Sequence, residues 1–359
     1  MLFYAVVSPG LEKLACEELL EKFPTLSVLK KHGGLEIDCS LEQGLALNHS
    51  LKIPTRILLR VLHGKVRDLP KLYKKIKNFD WRAYLVESPD LDHIVVSAHE
   101  SRLFDERKIK KTVIDAISDS FKAVQPKKVD VQRVAPFLQK SAPSVYLRFK
   151  NDELTISLDT SGERLDRRGT RTWVGLAPLR ETFAHACLRA LLKEVEGDFT
   201  LCDPMCGSGV FPIEALEWNQ LSRARAFAYQ AFPCAKDIEL AADQDSPVKN
   251  VLAIESDAKT FEALSHNLPT GVQTLKANAL EQAVLAKDLV MIANPPYGVR
   301  LKLDNPTAFL NHVVEKLMSY QPRALALLIP KDIKINRRYK NLLEFSNGGI
   351  AVKLVLFKS

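Results

Sequence analysis

Four residues, Asn294-Pro295-Pro296-Tyr297, carry the clearest chemistry in this chain. They follow Leu289-Val290-Met291-Ile292-Ala293, an apolar run that reads as a buried strand. The prolines end that strand and stiffen the turn behind it. On such a turn the Asn294 side-chain oxygen and the Pro295 carbonyl can accept both protons of one NH2 group. Pro296 shapes the bend, and Tyr297 offers a flat ring for a base to stack on. The set suits chemistry on the exocyclic amine of a nucleobase. A rigid surface turn could use the same residues, so the rest of the chain has to decide.

A second group lies about ninety residues earlier. Asp203-Pro204-Met205-Cys206-Gly207-Ser208-Gly209 sits between a predicted strand and a predicted helix. Its glycines let a ligand approach the backbone. A phosphate loop of Walker type needs Gly-Lys-Ser/Thr here, and the loop has no Lys. A dinucleotide fingerprint needs a third Gly, and Val210-Phe211-Pro212 offers none. What remains fits a nucleoside whose tail is not a phosphate, with an amino or carboxylate group meeting Asp203 and the loop amides. A hydrolase reading of Ser208 fails, because no Gly-x-Ser-x-Gly elbow surrounds it.

Glu255 ends the next strand, where an acid can accept both ribose hydroxyls. Asp257 is placed to cap the following helix. Asn278 ends a third strand, as a reader of adenine or as a turn residue. With Asn294 these strand ends would line one carboxyl edge of a sheet, where such folds bind ligands.

The elements that must position these groups follow from periodicity. From Leu179 onward helices and short apolar strands alternate, which means a parallel sheet covered on both faces. The predicted strands include Thr200–Asp203, Val251–Glu255, Val272–Leu275, Leu289–Ala293, Ala324–Ile329 and Ile350–Lys358. The first half reads differently. Residues 1–60 form a small α+β unit of split βαβ type, and 61–160 form a second α+β unit. In the second, Arg107 to Ile117 is an amphipathic helix, and its polar face carries Arg107, Lys108, Lys110 and Lys111. Val145–Phe149 and Glu153–Leu158 read as a hairpin around Asn151-Asp152. Residues 161–178 read as a linker whose Arg164, Arg167, Arg168 and Arg171, like the basic face of the Arg107 to Ile117 helix, are candidate contacts to RNA phosphate, a solvated linker being the alternative. The fourth segment is 179–359.

Composition sets the frame. The chain has 359 residues, 46% hydrophobic and 26% charged, and these are values of a soluble globular protein. No stretch approaches the roughly 20 apolar residues that span a bilayer. The six cysteines are scattered and no His cluster completes a metal site, so free thiols in a reducing cytoplasm are expected. Net charge is +8, and it is uneven: residues 1–172 hold 30 Lys+Arg against 23 Asp+Glu, while 173–359 hold 21 against 20. A basic module joined to a near-neutral one suggests a polyanion handle on an enzyme.

Taken together, the Asp203–Gly209 loop and Asn294-Pro295-Pro296-Tyr297-Gly298 resemble class I S-adenosylmethionine-dependent amino-methyltransferases. More narrowly, the chain resembles the THUMP-domain RNA guanine-N2 methyltransferases, including the N-terminal enzyme unit that modifies bacterial large-subunit rRNA. Ala177-Pro178-Leu179-Arg180-Glu181-Thr182 resembles the family's Ala-Pro-Leu-Lys-Glu run, and Arg167-Arg168-Gly169-Thr170-Arg171 its Arg-Gly-Tyr-Arg. Arg225 to Gln230, Phe3 to Glu12 and Asn347-Gly348 match further segments. The resemblance implies an α/β fold: a Rossmann-like seven-stranded class I methyltransferase domain preceded by an α+β ferredoxin-like plus THUMP RNA-binding module. It implies S-adenosyl-L-methionine held by Asp203, Met205, Cys206, Gly207, Ser208, Gly209, Glu255, Asn278 and Asn294, with Asn294 to Tyr297 catalytic. The family has Asp where Glu255 and Asn278 stand; Glu keeps the ribose chemistry, and Asn278 loses a charge. Structured RNA is the implied partner, rRNA ahead of tRNA, with no metal and no membrane. Adenine-N6 methylation shares the same tetrapeptide, and an RNA-binding protein with an inactive fold is the reading from another class.

Overall fold

A computed structural model describes the chain except residues 124–142, 174–178, 224, 236, 237, 239, 241, 284, 286, 287, 297–303 and 359, and the side chain of Ala123. The described chain divides into two units. The first comprises Met1–Val6, Lys22–Leu165 and Ser222–Ala241; the second comprises Val7–Glu21, Asp166–Leu221 and Ala242–Ser359.

Elements are numbered along the chain. β1 (Leu2–Val6) precedes α1 (Glu12–Lys22), which falls almost wholly in the second unit. The first unit continues with β2 (Ser27–Lys31), β3 (Gly34–Asp38), α2 (Leu41–Ser50), β4 (Arg56–Lys65), α3 (Leu69–Lys77), β5 (Ile94–His99), α4 (Glu106–Ala123), β6 (Val145–Lys150) and β7 (Glu153–Asp159). Its strands make one seven-stranded sheet in the order β2-β3-β1-β4-β7-β6-β5. Only β5 and β6 run parallel; the other neighbours are antiparallel. The two α+β segments read from the sequence therefore share one sheet, joined where β4 pairs β7.

Local signals explain the ends of these elements. Asp68 caps α3 through Lys71 N–H at 2.8 Å, with Pro70 in the first turn. Ser40 and Gln43 form a capping box on α2. The β6–β7 hairpin turns on Asn151 and Asp152, both at positive φ, the backbone an Asn-Asp pair tolerates.

The second unit holds α5 (Glu181–Leu192), β8 (Thr200–Asp203), α6 (Val210–Leu216), β9 (Asn250–Glu255), α7 (Ala258–Asn267), β10 (Gln273–Lys276), β11 (Leu289–Ala293), α8 (Pro306–Ser319), β12 (Ala324–Pro330), β13 (Lys340–Asn347) and β14 (Ile350–Lys358). The sheet order is β10-β9-β8-β11-β12-β14-β13. The first five strands are parallel, and β14 inserts antiparallel between β12 and β13. Every residue of β11 and of β12 is buried, as a central strand covered on both faces requires. The order reverses between β8 and β11, so the carboxyl ends of β8, β9 and β11 meet at a topological switch point. The expected seven-stranded Rossmann-like sheet is present.

Two strands escaped the sequence reading. β2 is an exposed edge strand whose Ser-Val-Leu-Lys-Lys run lacks alternation. β13 pairs only with β14 and carries a bulge near Asn341, which breaks its period.

Candidate active site

The loop after β8 is shaped by its two glycines. Gly207 has φ +56 and Gly209 φ +93, backbone that side-chain-bearing residues seldom adopt. At Gly209 a Cβ would also lie 2.9 Å from Leu264 Cδ1. The loop is tied to β9: Cys206 N–H donates to the Ile254 carbonyl at 3.0 Å, and Gly207 N–H donates to Glu255 Oε2 at 2.9 Å. The other Glu255 oxygen accepts Asp257 N–H at 2.8 Å, while Asp257 caps α7 through Thr260 N–H at 2.8 Å.

Asp203 is buried at the end of β8, 1% exposed. Among the described residues its hydrogen-bond donor is Met205 N–H at 3.2 Å, and no cation pairs with it. Burial holds its carboxyl well above the usual carboxylate range; the Glu255 charge adds to the rise and the Met205 N–H opposes it. A buried carboxylate without a counter-charge is suited to a cationic ligand group. Burial, with Asp203 and Glu255 beside it, likewise pushes the Cys206 thiol up, so it is no thiolate nucleophile.

Asn294 follows β11. Its Oδ1 is buried and accepts no hydrogen bond among the described residues. A lone buried acceptor costs about 1–3 kcal/mol unless something donates to it. Pro295 is buried and Pro296 half-buried beside it. Tyr297 and Gly298, together with Ala177 and Pro178 of the resemblance, lie outside the described residues.

Asn278 makes a closed local turn. Its Oδ1 accepts Leu280 N–H at 3.1 Å, and its Nδ2 donates to Glu281 Oε1 at 2.7 Å. The structure thus brings Asp203, the 205–209 loop and Glu255 into one bonded network, with Asn294 on the neighbouring strand end; Asn278 is occupied within its own turn.

The linker arginines divide. Arg167 is exposed and Arg164 half-buried. Arg168 is buried in a two-point ion pair with Glu214 of α6, Nε to Oε1 at 2.6 Å and Nη2 to Oε2 at 3.0 Å. Arg171 is also drawn inward, its side chain 4% exposed, against Glu181 and Ser208. On α4, Arg107, Lys108 and Lys111 are exposed; Lys110 is half-buried and pairs with Glu106 at 3.0 Å. Sequence reasoning missed Asn267, which bonds the Ser208 carbonyl at 3.0 Å; an Asn at a helix end carries no signal beyond a stop.

Residues 168–342 match the family model of the RMKL-like methyltransferase domain. Among curated relatives, the ribosomal RNA large subunit methyltransferase K/L of Colwellia psychrerythraea is 26% identical over 99% of this chain and 52% of its own length. The enzyme of the same name from Acinetobacter baumannii is 28% identical over 86% of this chain and 46% of its own. The chain thus spans about half the length of the curated relatives it matches. Among solved structures, SMU.472 in complex with SAH has a TM-score of 0.82 at 23% identity, covering 100% of this chain and 98% of that one. TrmN from Thermus thermophilus has a TM-score of 0.67 at 18% identity, covering 100% and 99%. Both share the fold of this chain from end to end. No described helix is long and apolar enough to cross a membrane.

Proposed function

We propose that this chain is an S-adenosyl-L-methionine-dependent methyltransferase acting on the exocyclic N2 of a guanine in structured RNA, with large-subunit rRNA the favoured substrate. One observation carries the reading: the Asn294 Oδ1, which has no hydrogen-bond partner among the described residues, on the strand end that neighbours that of Asp203. A buried acceptor of this kind fits the N–H of an incoming amine.

The residues present suit the cofactor. Asp203 would take its amino group, since a buried carboxylate without a counter-charge gains most from a cation. Glu255 keeps acceptor sites beyond the two it uses, enough for ribose hydroxyls. The loop from Met205 to Gly209 would follow the amino-acid end. Asn278 uses one N–H and one lone pair in its turn and would meet adenine with the remaining donor or acceptor. Bound there, the cofactor supplies an electrophilic methyl group on a sulfonium.

The protein's own task is to prepare the amine. A guanine amino lone pair is delocalised into the ring. Asn294 Oδ1 and the Pro295 carbonyl accept its two N–H bonds and orient the nitrogen, which favours the form with the lone pair freed. No strong base is required, because the nitrogen becomes acidic once it carries positive charge. Tyr297 is assigned the stacking surface for the extruded base.

The basic surplus of residues 1–172 supports RNA binding by the N-terminal segments: 1–60 ferredoxin-like, 61–160 of THUMP type, then a linker over 161–178 and the methyltransferase domain over 179–359. The names of the rRNA-modifying relatives support the same partner.

The test is methyl transfer from labelled S-adenosylmethionine to total RNA and to DNA, wild type beside Asn294→Ala, with nucleosides identified. N2-methylguanosine that falls by about 10²–10³-fold in the variant is expected. N6-methyladenosine would replace the guanine assignment, and no transfer with no cofactor binding would leave an RNA-binding protein on an inactive fold.

A further inference from the structure

The loop that carries Ser208 is held from two sides, and only one of them belongs to the strand ends. On the β9 side, Gly207 N–H reaches Glu255 and Cys206 N–H reaches Ile254. On the other side two side chains from distant segments converge on Ser208. Arg171 Nη1 donates to Ser208 Oγ at 3.1 Å. The same guanidinium donates through Nη2 to the Leu179 carbonyl at 3.1 Å and to Glu181 Oε1 at 2.7 Å, and through Nε to Glu181 Oε1 at 3.0 Å. Asn267, the last residue of α7, donates through Nδ2 to the Ser208 carbonyl at 3.0 Å.

Asn267 also holds the segment that delivers Arg171. Its Nδ2 donates to the Trp173 carbonyl at 2.6 Å, and its Oδ1 accepts Trp173 N–H at 3.0 Å. The Trp173 ring lies against His266, centroids 4.4 Å apart and planes at 32°. Residues 171–173 therefore run as a strap, fixed at one end on α5 through Glu181 and at the other on the end of α7.

The consequence lies in the backbone of the loop. Ser208 stands between two glycines at positive φ. Glycine peptides rotate at little steric cost, and within the loop Gly209 N–H reaches back to the Cys206 carbonyl at 2.9 Å, a single turn bond set against that freedom. Gripping the Ser208 hydroxyl and carbonyl together removes that freedom before a ligand arrives, and preorganisation of this kind appears as affinity.

We propose that Arg171 and Asn267 are positioning residues for the cofactor: a strap-borne clamp that acts through Ser208 and sets the orientation of the loop amides. The inference rests on the cofactor reading above. It goes further in assigning a role to a linker arginine and to a helix-end asparagine that touch no reacting atom.

The test is titration of the full chain with S-adenosylhomocysteine, beside steady-state kinetics. Lys at position 171 keeps the charge but lacks the planar fork that serves three acceptors at once. Arg171→Lys is expected to weaken S-adenosylhomocysteine binding about tenfold, the loss of one charge-assisted hydrogen bond. KM for S-adenosylmethionine should rise in parallel, with kcat at saturation within about twofold, since a loss confined to ground-state binding leaves kcat alone. Ser208→Ala cuts only the loop end of the clamp and leaves Arg171 on Glu181 and Leu179, so it keeps the fold while showing a similar loss. The double variant should be no worse than the singles, because both break one interaction. Asn267→Asp, which sets a carboxylate against two carbonyls, should act in the same direction. Wild-type affinity in Arg171→Lys and Ser208→Ala, or fully additive losses, would overturn the clamp while leaving the cofactor reading intact. Failure of the wild type to bind would overturn both.

Discussion

The Glu255 carboxylate accepts the Gly207 N–H at 2.9 Å, so the acid proposed to meet a ribose also fastens the loop proposed to meet the rest of the ligand. β8 and β9 are neighbours in the sheet, and their carboxyl ends are thereby locked together by a side chain as well as by the ladder. A ligand drawing on Glu255 feels the loop, and a change in the loop alters what Glu255 offers.

Asp203 gives a pH signature. Its carboxyl is raised by burial, so the folded, ligand-free protein keeps that proton to higher pH than an unfolded chain does. The stability this confers is full below the ordinary Asp range, about 4, and is lost as pH rises through the raised value. A cationic amino group beside Asp203 favours the carboxylate. Cofactor affinity should therefore rise with pH until Asp203 is ionised in the free protein, with proton release on binding below that point. Calorimetry in two buffers of different ionisation heat measures the release. Asp203→Asn should abolish it, and an equal release in that variant would assign the proton elsewhere.

The two loop glycines should respond differently to alanine. At Gly207 a Cβ meets nothing within 4 Å, so only the positive φ is paid for, about 1 kcal/mol. At Gly209 the positive φ is joined by the 2.9 Å approach to Leu264 Cδ1, and the loss should be about 2–3 kcal/mol. Urea unfolding of both variants checks the order; equal losses would show that Leu264 yields freely.

The buried Arg168–Glu214 pair predicts a reversal. The two side chains are 3% and 1% exposed. Arg168→Met leaves Glu214 charged and buried, a loss of about 3–5 kcal/mol. Adding Glu214→Leu should recover much of it, because the stranded charge is gone. Thermal unfolding of the two variants decides, and a double variant worse than the single would mean that Glu214 matters more to its other neighbours, His185 among them.

The proposed RNA contact on α4 would separate into charge and stacking. Arg107→Gln with Lys111→Gln should reduce the salt slope of RNA binding by about 1.5–2 if each meets a phosphate. Phe104 stands just before α4, 77% exposed, in a loop pinned where Asp152 accepts Arg102 N–H at 2.8 Å. Phe104→Ala should weaken binding about threefold to tenfold with the slope unchanged, and Phe104→Trp should restore it. Filter binding across salt concentrations checks both; a slope that ignores the α4 charges would move the RNA face elsewhere.

Much of the catalytic unit was legible because its signals are local. A fully buried parallel strand must be a short apolar run, so β11 and β12 stand out in the sequence. A loop that bends twice through positive φ must carry Gly207 and Gly209, and a turn that stops a strand rigidly carries Pro295 and Pro296. The hairpin at Asn151-Asp152 and the cap at Asp257 are local in the same sense. The fates of the arginines were not legible. Arg164, Arg167, Arg168 and Arg171 read alike along the chain, yet Arg168 lies buried on Glu214, 46 residues away, and Arg171 reaches Ser208, 37 residues away. A guanidinium's role is set by which carboxylate or carbonyl the fold brings to it, and periodicity does not encode that. The edge strand β2 was hidden because neither of its faces is buried, so its residues need not alternate; β13 alternates only over Leu343 to Phe345, past its bulge, too short a run to stand out. The sequence by itself determined the chemical groups and the strand ends that bear them. Only the tertiary structure decided which of those groups already have partners, and that Asn294 Oδ1 has none among the described residues.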